Sequence, residues 1–101
     1  MARERGITEA DLSGGLRAGV FSISRVLLVE VSATGDLVPY LRLSDRAGWV
    51  PIALRKYEGH KTWRDYRILR RALGDWGFRE RLCIYPENHP HLRRMGLRAE
   101  E

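Results

Sequence analysis

The sequence predicts an α+β fold in which an antiparallel meander of three or four strands packs against one main helix. Two observations carry this prediction. Runs rich in branched apolar residues recur at 20–31, 37–43 and 49–54, and glycine-containing turns separate them. One later segment, Thr62 to Trp76, has the apolar spacing of an amphipathic helix. The strands are therefore expected to form one sheet for that helix to cover.

The three runs are linked closely enough to pair in chain order. Gly35 lies in the first turn and Gly48 in the second, and glycine is favoured where a short turn needs positive φ. A shorter apolar run at 81–85 is expected to add a fourth strand. Neither face of the three strands alternates cleanly to polar residues, so both faces should be partly covered. The main helix would cover one face, and the terminal segments or a partner subunit the other.

The main helix is expected over about residues 62–74, because both ends carry signals. Thr62 followed three residues later by Asp65 resembles a capping box with aspartate in place of glutamate. Gly74 follows the last apolar residue of the run, where a left-handed residue often ends a helix.

A chain of 101 residues is expected to form a single small domain, spanning 1–101. Residues 1–18 are expected to form a peripheral lead-in with one short helical turn, which begins at Thr8 and ends at Gly14–Gly15. Residues 86–101 are expected to form a peripheral tail.

The net charge of +5 favours anionic partners, with DNA or RNA the first candidates. The 18 basic residues comprise 16 arginines and 2 lysines. Such a skew also arises from a GC-rich genome without any selection for binding. The charge therefore leaves open whether the arginine excess is functional.

The compartment expected from the sequence is the cytoplasm. Cys83 is the single cysteine, so no disulfide can form within the chain, which fits a reducing environment. The N-terminal residues contain no apolar core of a secretory signal. No segment approaches the roughly 20 apolar residues that a transmembrane helix needs.

A candidate binding surface emerges when 100° per residue is applied to the main helix. Tyr66, Leu69 and Leu73 fall on one side. Four arginines fall on the other, and Trp63 is placed among them. An exposed aromatic among guanidinium groups can stack on a base while the arginines hold phosphates. The candidate nucleic-acid-binding residues are Arg55, Lys61, Trp63, Arg64, Arg67, Arg70 and Arg71. The alternative is a solvated helix face with Trp63 folded back onto the sheet.

No catalytic or cofactor-binding pattern stands out, so we expect a protein that is not an enzyme and uses no cofactor. Cys83, His89 and His91 could suggest a metal site, but their spacing matches no paired zinc pattern. Because Cys83 lies between two apolar residues of the fourth predicted strand, it is expected to pack rather than to bind metal.

Two functions from different classes follow. The first is a small binding protein that holds nucleic acid through the arginine-rich helix side. The second is a protein–protein interaction module, a homo-oligomer or an accessory subunit, that uses the apolar sheet. Tyr40, Trp49 and Tyr57 motivate the second, because apolar and aromatic surfaces are frequent at interfaces.

Overall fold

The computed structural model of the chain describes residues 6–55 and 58–97. The side chains of residues 55 and 58 lie outside that description. In chain order the elements are β1 (Ile7–Thr8), α1 (Glu9–Ala18), β2 (Ile23–Glu30), β3 (Leu37–Leu43), β4 (Val50–Arg55), β5 (Glu58–His60), α2 (Tyr66–Asp75), β6 (Ile84–Pro86) and α3 (Pro90–Arg94).

The fold is α+β, as predicted, but its sheet is mixed rather than a simple meander. The strand order is β1-β4-β3-β2-β6, and β5 pairs with β4. β2, β3 and β4 form the predicted antiparallel core of the sheet. β1 and β6, however, pair in parallel with β4 and β2. The fourth predicted strand, at 81–85, is thus shifted to Ile84–Pro86 and runs parallel to its neighbour.

Helix α1 is longer than the single turn that the sequence predicts. Thr8 caps it as expected, because its Oγ1 accepts a hydrogen bond from the Asp11 N–H at 3.2 Å. The helix continues through Gly14–Gly15 and ends at Gly19, which has a left-handed φ of 75°. Gly15 is kept in the helix by packing, since the ring of Phe21 occupies the space that a Cβ would take.

The first core lies between the sheet and helices α1 and α2. Leu12 from α1 and Leu69 and Leu73 from α2 have no exposed surface. They meet the side chains of Leu28 and Ile52 from the sheet in one continuous cluster. Burying these faces is what holds the two helices on the sheet, because isolated helices of ten residues are marginal in water.

The second core lies on the opposite face and is closed by the C-terminal part of the chain. Leu92 of α3 and Leu97 are buried there against Trp49, Tyr40 and other sheet residues. The indole Nε1 of Trp49 donates a hydrogen bond of 2.7 Å to the carbonyl of Met95, which ties this layer to the sheet. The lead-in and the tail, expected to be peripheral, therefore both contribute to the cores, and the tail covers the second face.

None of the helices in the described part of the chain is long and apolar enough to cross a lipid bilayer.

Candidate functional site

Helix α2 begins four residues later than the sequence predicts. Its cap is Asp65, whose carboxylate accepts a hydrogen bond of 2.8 Å from the Arg67 N–H. Thr62 is not the cap. The helix also passes the predicted stop at Gly74 and ends at Asp75, and Gly77 takes the left-handed conformation just beyond it. The segment before the cap is not helical: Trp63 forms a β-bridge and Arg64 lies in a bend.

The outer side of α2 carries a basic surface, here called the arginine face. Its side chains are all solvent-exposed, and helical spacing accounts for this in the three that lie on the helix. Arg64 precedes the cap, and the other three lie on the helix, with Arg67 and Arg71 one turn apart. Its members are Arg64, Arg67, Arg70 and Arg71.

Two of these arginines touch carboxylates, but only loosely. Arg64 Nε lies 3.6 Å from Asp36, and Arg67 Nε lies 3.7 Å from the cap residue Asp65. The two arginine side chains are 90% and 88% exposed. Ion pairs this long and this exposed contribute little, about 0–1 kcal/mol. Either guanidinium can therefore turn to another anion at small cost.

The other two arginines have no acidic partner among the described residues. Arg70 donates a hydrogen bond of 3.1 Å to the hydroxyl of Tyr66. Arg71 forms no ion pair or side-chain hydrogen bond within the described part of the chain. No aspartate or glutamate occurs in the sequence from Tyr66 to Gly74. Like charges one turn apart on a helix repel by about 0.2–0.5 kcal/mol, so a bound anion would relieve a real strain here.

The prediction that Trp63 is exposed among the arginines is wrong. Its side chain is 9% exposed and belongs to the first core. Because α2 starts only at Tyr66, helical spacing does not set the direction of residue 63. Trp63 instead forms a two-bond bridge with Leu37, with N···O distances of 2.7 and 2.9 Å, and this bridge turns its ring toward the sheet. The alternative interpretation of Trp63 is therefore the one that the structure shows.

Lys61 is likewise drawn away from the arginine face. Its Nζ lies 2.6 Å from Glu9 of α1 and 5.0 Å from the centre of the Trp63 ring. These contacts link the N-terminal helix to the segment ahead of α2. The remaining candidate, Arg55, ends strand β4, and its side chain lies outside the described residues.

One further arginine joins this region although the helix pattern did not include it. The guanidinium of Arg79 lies 3.8 Å from the position that a Cβ at Gly74 would occupy. The chain turns back after α2 because Gly77 adopts positive φ and Phe78 is buried in the first core. The available signal was the Gly77–Phe78 pair, since a glycine followed by a buried aromatic commonly reverses the chain after a helix.

The residues weighed for metal binding do not form a ligand cluster. No group of three or more histidine, cysteine or acidic side chains with suitable geometry occurs within residues 6–55 and 58–97. His89 Nδ1 accepts a hydrogen bond from the His91 N–H and so caps α3. The expectation that Cys83 packs in a strand is wrong, because it lies ahead of β6 and its thiol is exposed.

The aromatic residues that motivated a protein interface are placed differently from the expectation. Tyr40 and Trp49 are buried in the second core beneath Leu92 and Leu97. Tyr57 lies outside the described residues. The apolar sheet face at Tyr40 and Trp49 is therefore covered from within the chain.

No family model matches the sequence, and comparisons with curated proteins and with solved structures give no match either.

Proposed function

We propose that this protein binds nucleic acid through the arginine face of α2. The observation that carries the proposal is a set of three exposed guanidinium groups on the outer side of α2, with Arg64 just ahead of the helix, while the other side of α2 is buried in the first core. Leu69 and Leu73 fix the helix, so the arginines project from a rigid support. Guanidinium groups form bidentate hydrogen bonds to phosphate, which makes arginine well suited to this task.

Binding through this surface would be dominated by phosphate contacts. Each phosphate of duplex DNA that the protein neutralises releases counterions. For each such phosphate, the logarithm of the affinity falls by about 0.9 for every tenfold rise in salt concentration. Engagement of the whole arginine face would therefore give a slope of about −3.6. Sequence preference should be weak, because phosphate contacts position a protein without reading bases.

The burial of Trp63 sharpens this proposal. The exposed apolar side chains on α2 are Ile68, which has no aromatic ring, and Tyr66, whose hydroxyl accepts a hydrogen bond from Arg70. With Trp63 buried and Tyr66 tied to Arg70, the arginine face offers little stacking surface, and single strands should gain little advantage over a duplex. Duplex DNA, with its higher charge density, is the expected better ligand.

The test is a titration of fluorescein-labelled duplex and single-stranded DNA with the purified protein, followed by anisotropy at several salt concentrations. Arg67→Glu combined with Arg70→Glu should weaken binding by about a hundredfold or more, since at least two charge-assisted contacts are lost. The fold should persist, because both side chains are exposed.

A matched control separates the arginine face from overall charge. Arg17→Glu combined with Arg93→Glu changes the net charge by the same amount on helices α1 and α3, where both side chains are also exposed. This control should retain most of the affinity. Equal losses for the two double variants, or intact binding by Arg67→Glu with Arg70→Glu, would remove the proposal.

The alternative function, a protein–protein interaction module or accessory subunit, needs a surface other than the covered sheet face. The feature that supports it is an open strand edge on β2.

A further inference from the structure

Strand β2 has an outer edge that is only half used. β6 pairs with it at Leu28, Val29 and Glu30. Within the described part of the chain, no strand pairs with that edge ahead of Leu28. The pairing stops at Cys83, whose carbonyl accepts the Leu28 N–H at 3.1 Å.

The edge is left open because the chain departs from the sheet just before β6. A regular continuation of the parallel register would bring Leu82 opposite Val26. Residues 81–83 form no strand, although Leu82 packs against the same core as Val26. A groove of about 600 Å³ remains between Ile23–Leu27 of β2 and the segment Gly77–Arg81. It is called the β2 groove below.

Main-chain groups of β2 face this groove. Pro39 lies opposite Leu28 and has no N–H to donate. The hydrogen bonds between β2 and β3 are therefore formed by the residue pairs on either side of the Leu28–Pro39 pair. The N–H of Leu28 and the carbonyl of Glu30 both bond on the β6 side, to Cys83 and Glu87. By the same alternation, the N–H and carbonyl of Val26 point into the β2 groove.

The charged side chains that line the groove are mostly basic. Arg25, Arg79 and Arg81 are exposed there, against the single carboxylate of Glu80. The guanidinium of Arg25 lies 5.8 Å from the centre of the Trp49 ring, which helps to hold it at the groove wall. The lining therefore favours an occupant with acidic side chains.

We propose that the β2 groove binds an extended acidic peptide segment of a partner protein, which adds as a strand to the outer edge of β2 in line with β6. An exposed edge offers an alternating donor and acceptor, and a peptide strand supplies the complementary pair. A DNA backbone supplies acceptors but no matching donor for the Val26 carbonyl. Half-buried Tyr85 and Met95 provide the apolar wall for alternate side chains. This site adjoins the arginine face through Arg79 but has its own lining, and it does not depend on nucleic-acid binding.

Cys83 provides a direct assay of groove occupancy. It is the single cysteine of the chain, its thiol is exposed, and it lines the groove where the β6 pairing ends. The probe is a short end-capped peptide in which valine and glutamate alternate. We expect this peptide to slow the alkylation of Cys83 by iodoacetamide in a saturable way. It should also shift the amide resonance of Val26.

Two control peptides test the two halves of the proposal. Methylation of the backbone nitrogens on alternate residues removes the strand donors and should abolish protection of Cys83. Replacement of glutamate by lysine should abolish it through charge. Protection by the methylated peptide equal to that by the parent, or no protection by the parent up to millimolar concentrations, would overturn the proposal.

Protein variants locate the site. Arg81→Glu should lower the affinity for the peptide by about tenfold, which is the loss expected for one charge-assisted hydrogen bond. Arg17→Glu, on α1, should leave the affinity unchanged. Arg67→Glu with Arg70→Glu should also leave the peptide affinity unchanged. The proposal for the arginine face and the proposal for the β2 groove can therefore be refuted independently. Protection of Cys83 by an oligonucleotide but not by the peptide would assign the groove to nucleic acid and overturn the proposal.

Discussion

The two faces of the sheet are covered by elements that differ in length and in the number of buried side chains they contribute. On the first face, α1 and α2 each contribute ten residues, and Leu12, Leu69 and Leu73 reach the core with no exposed surface. On the second face the five-residue helix α3 and the turn after it provide the cover. There Leu92 and Leu97 are the buried anchors.

This difference separates global stability from local opening. The first core joins both long helices to four strands, so its loss should unfold the whole chain. The second layer is held by few buried contacts and by the hydrogen bond from Trp49 to Met95, so it can open alone at lower cost. The arginine face lies on α2, which packs against the first core. The β2 groove adjoins the second layer through Met95.

The largest expected effect comes from truncating matched leucines on the two faces. Leu69→Ala should lower the free energy of unfolding by about 2–5 kcal/mol, the range for deleting a fully buried leucine. Leu92→Ala should lower the free energy of unfolding by less, because Leu92 belongs to the short helix α3, which can shift into the space left by the side chain. Urea denaturation followed by circular dichroism measures both. A larger loss for Leu92→Ala would reverse the comparison.

The sheet shows where local pattern is enough and where it is not. The bounds of β3, Leu37–Leu43, match the predicted 37–43, because glycine turns and branched residues act locally. The parallel pairings of β1 and β6 are contacts between distant segments. A two-residue strand such as Ile7–Thr8 has no periodicity to detect, so its pairing with β4 could not be predicted.

The candidate site shows how one misplaced helix start changes a side chain's role. Thr62 and Asp65 are both good caps, and the sequence does not decide between them. Extending the helix to Thr62 gave Trp63 a helical direction and put it among the arginines. The direction of Arg67, Arg70 and Arg71 was predicted correctly, because those residues lie inside the helix under either start. Trp63 is set instead by its bridge to Leu37.

The next expected effect tests why α1 passes through two glycines. A Cβ at Gly15 would lie 2.3 Å from the ring of Phe21, which is buried in the first core. Gly15→Ala should therefore destabilise the protein by about 1–3 kcal/mol, as overpacking does. Gly14 is the matched control, since a Cβ there meets nothing within 4 Å.

Gly14→Ala should stabilise the protein by about 0.5–1 kcal/mol, because alanine loses less backbone freedom in a helix. Thermal melting of both variants side by side gives the sign of each change. Stabilisation by Gly15→Ala would mean that the Phe21 ring moves aside freely, and that the first core is less tightly packed at α1 than its burial indicates.

The most local of these effects tests the anchor of the second layer. Trp49→Phe removes the indole N–H that Met95 accepts at 2.7 Å but keeps an aromatic ring in the core. Loss of the hydrogen bond should cost about 0.5–1.5 kcal/mol, the smaller ring adds to this loss, and the effect should be confined to the second layer. Amide hydrogen exchange should become about tenfold faster in α3 while protection of α2 stays unchanged.

The control is Trp76→Phe, on the side of the first core, where the indole forms no hydrogen bond within the described residues. It should leave exchange in α3 unchanged. If Trp49→Phe lowered protection equally in α2 and α3, the two layers would open together. The hydrogen bond to Met95 would then belong to one cooperative unit, and the groove beside Met95 would be as rigid as the arginine face. Faster exchange confined to α3 would instead show that the groove wall can move independently of the helix that carries the arginines.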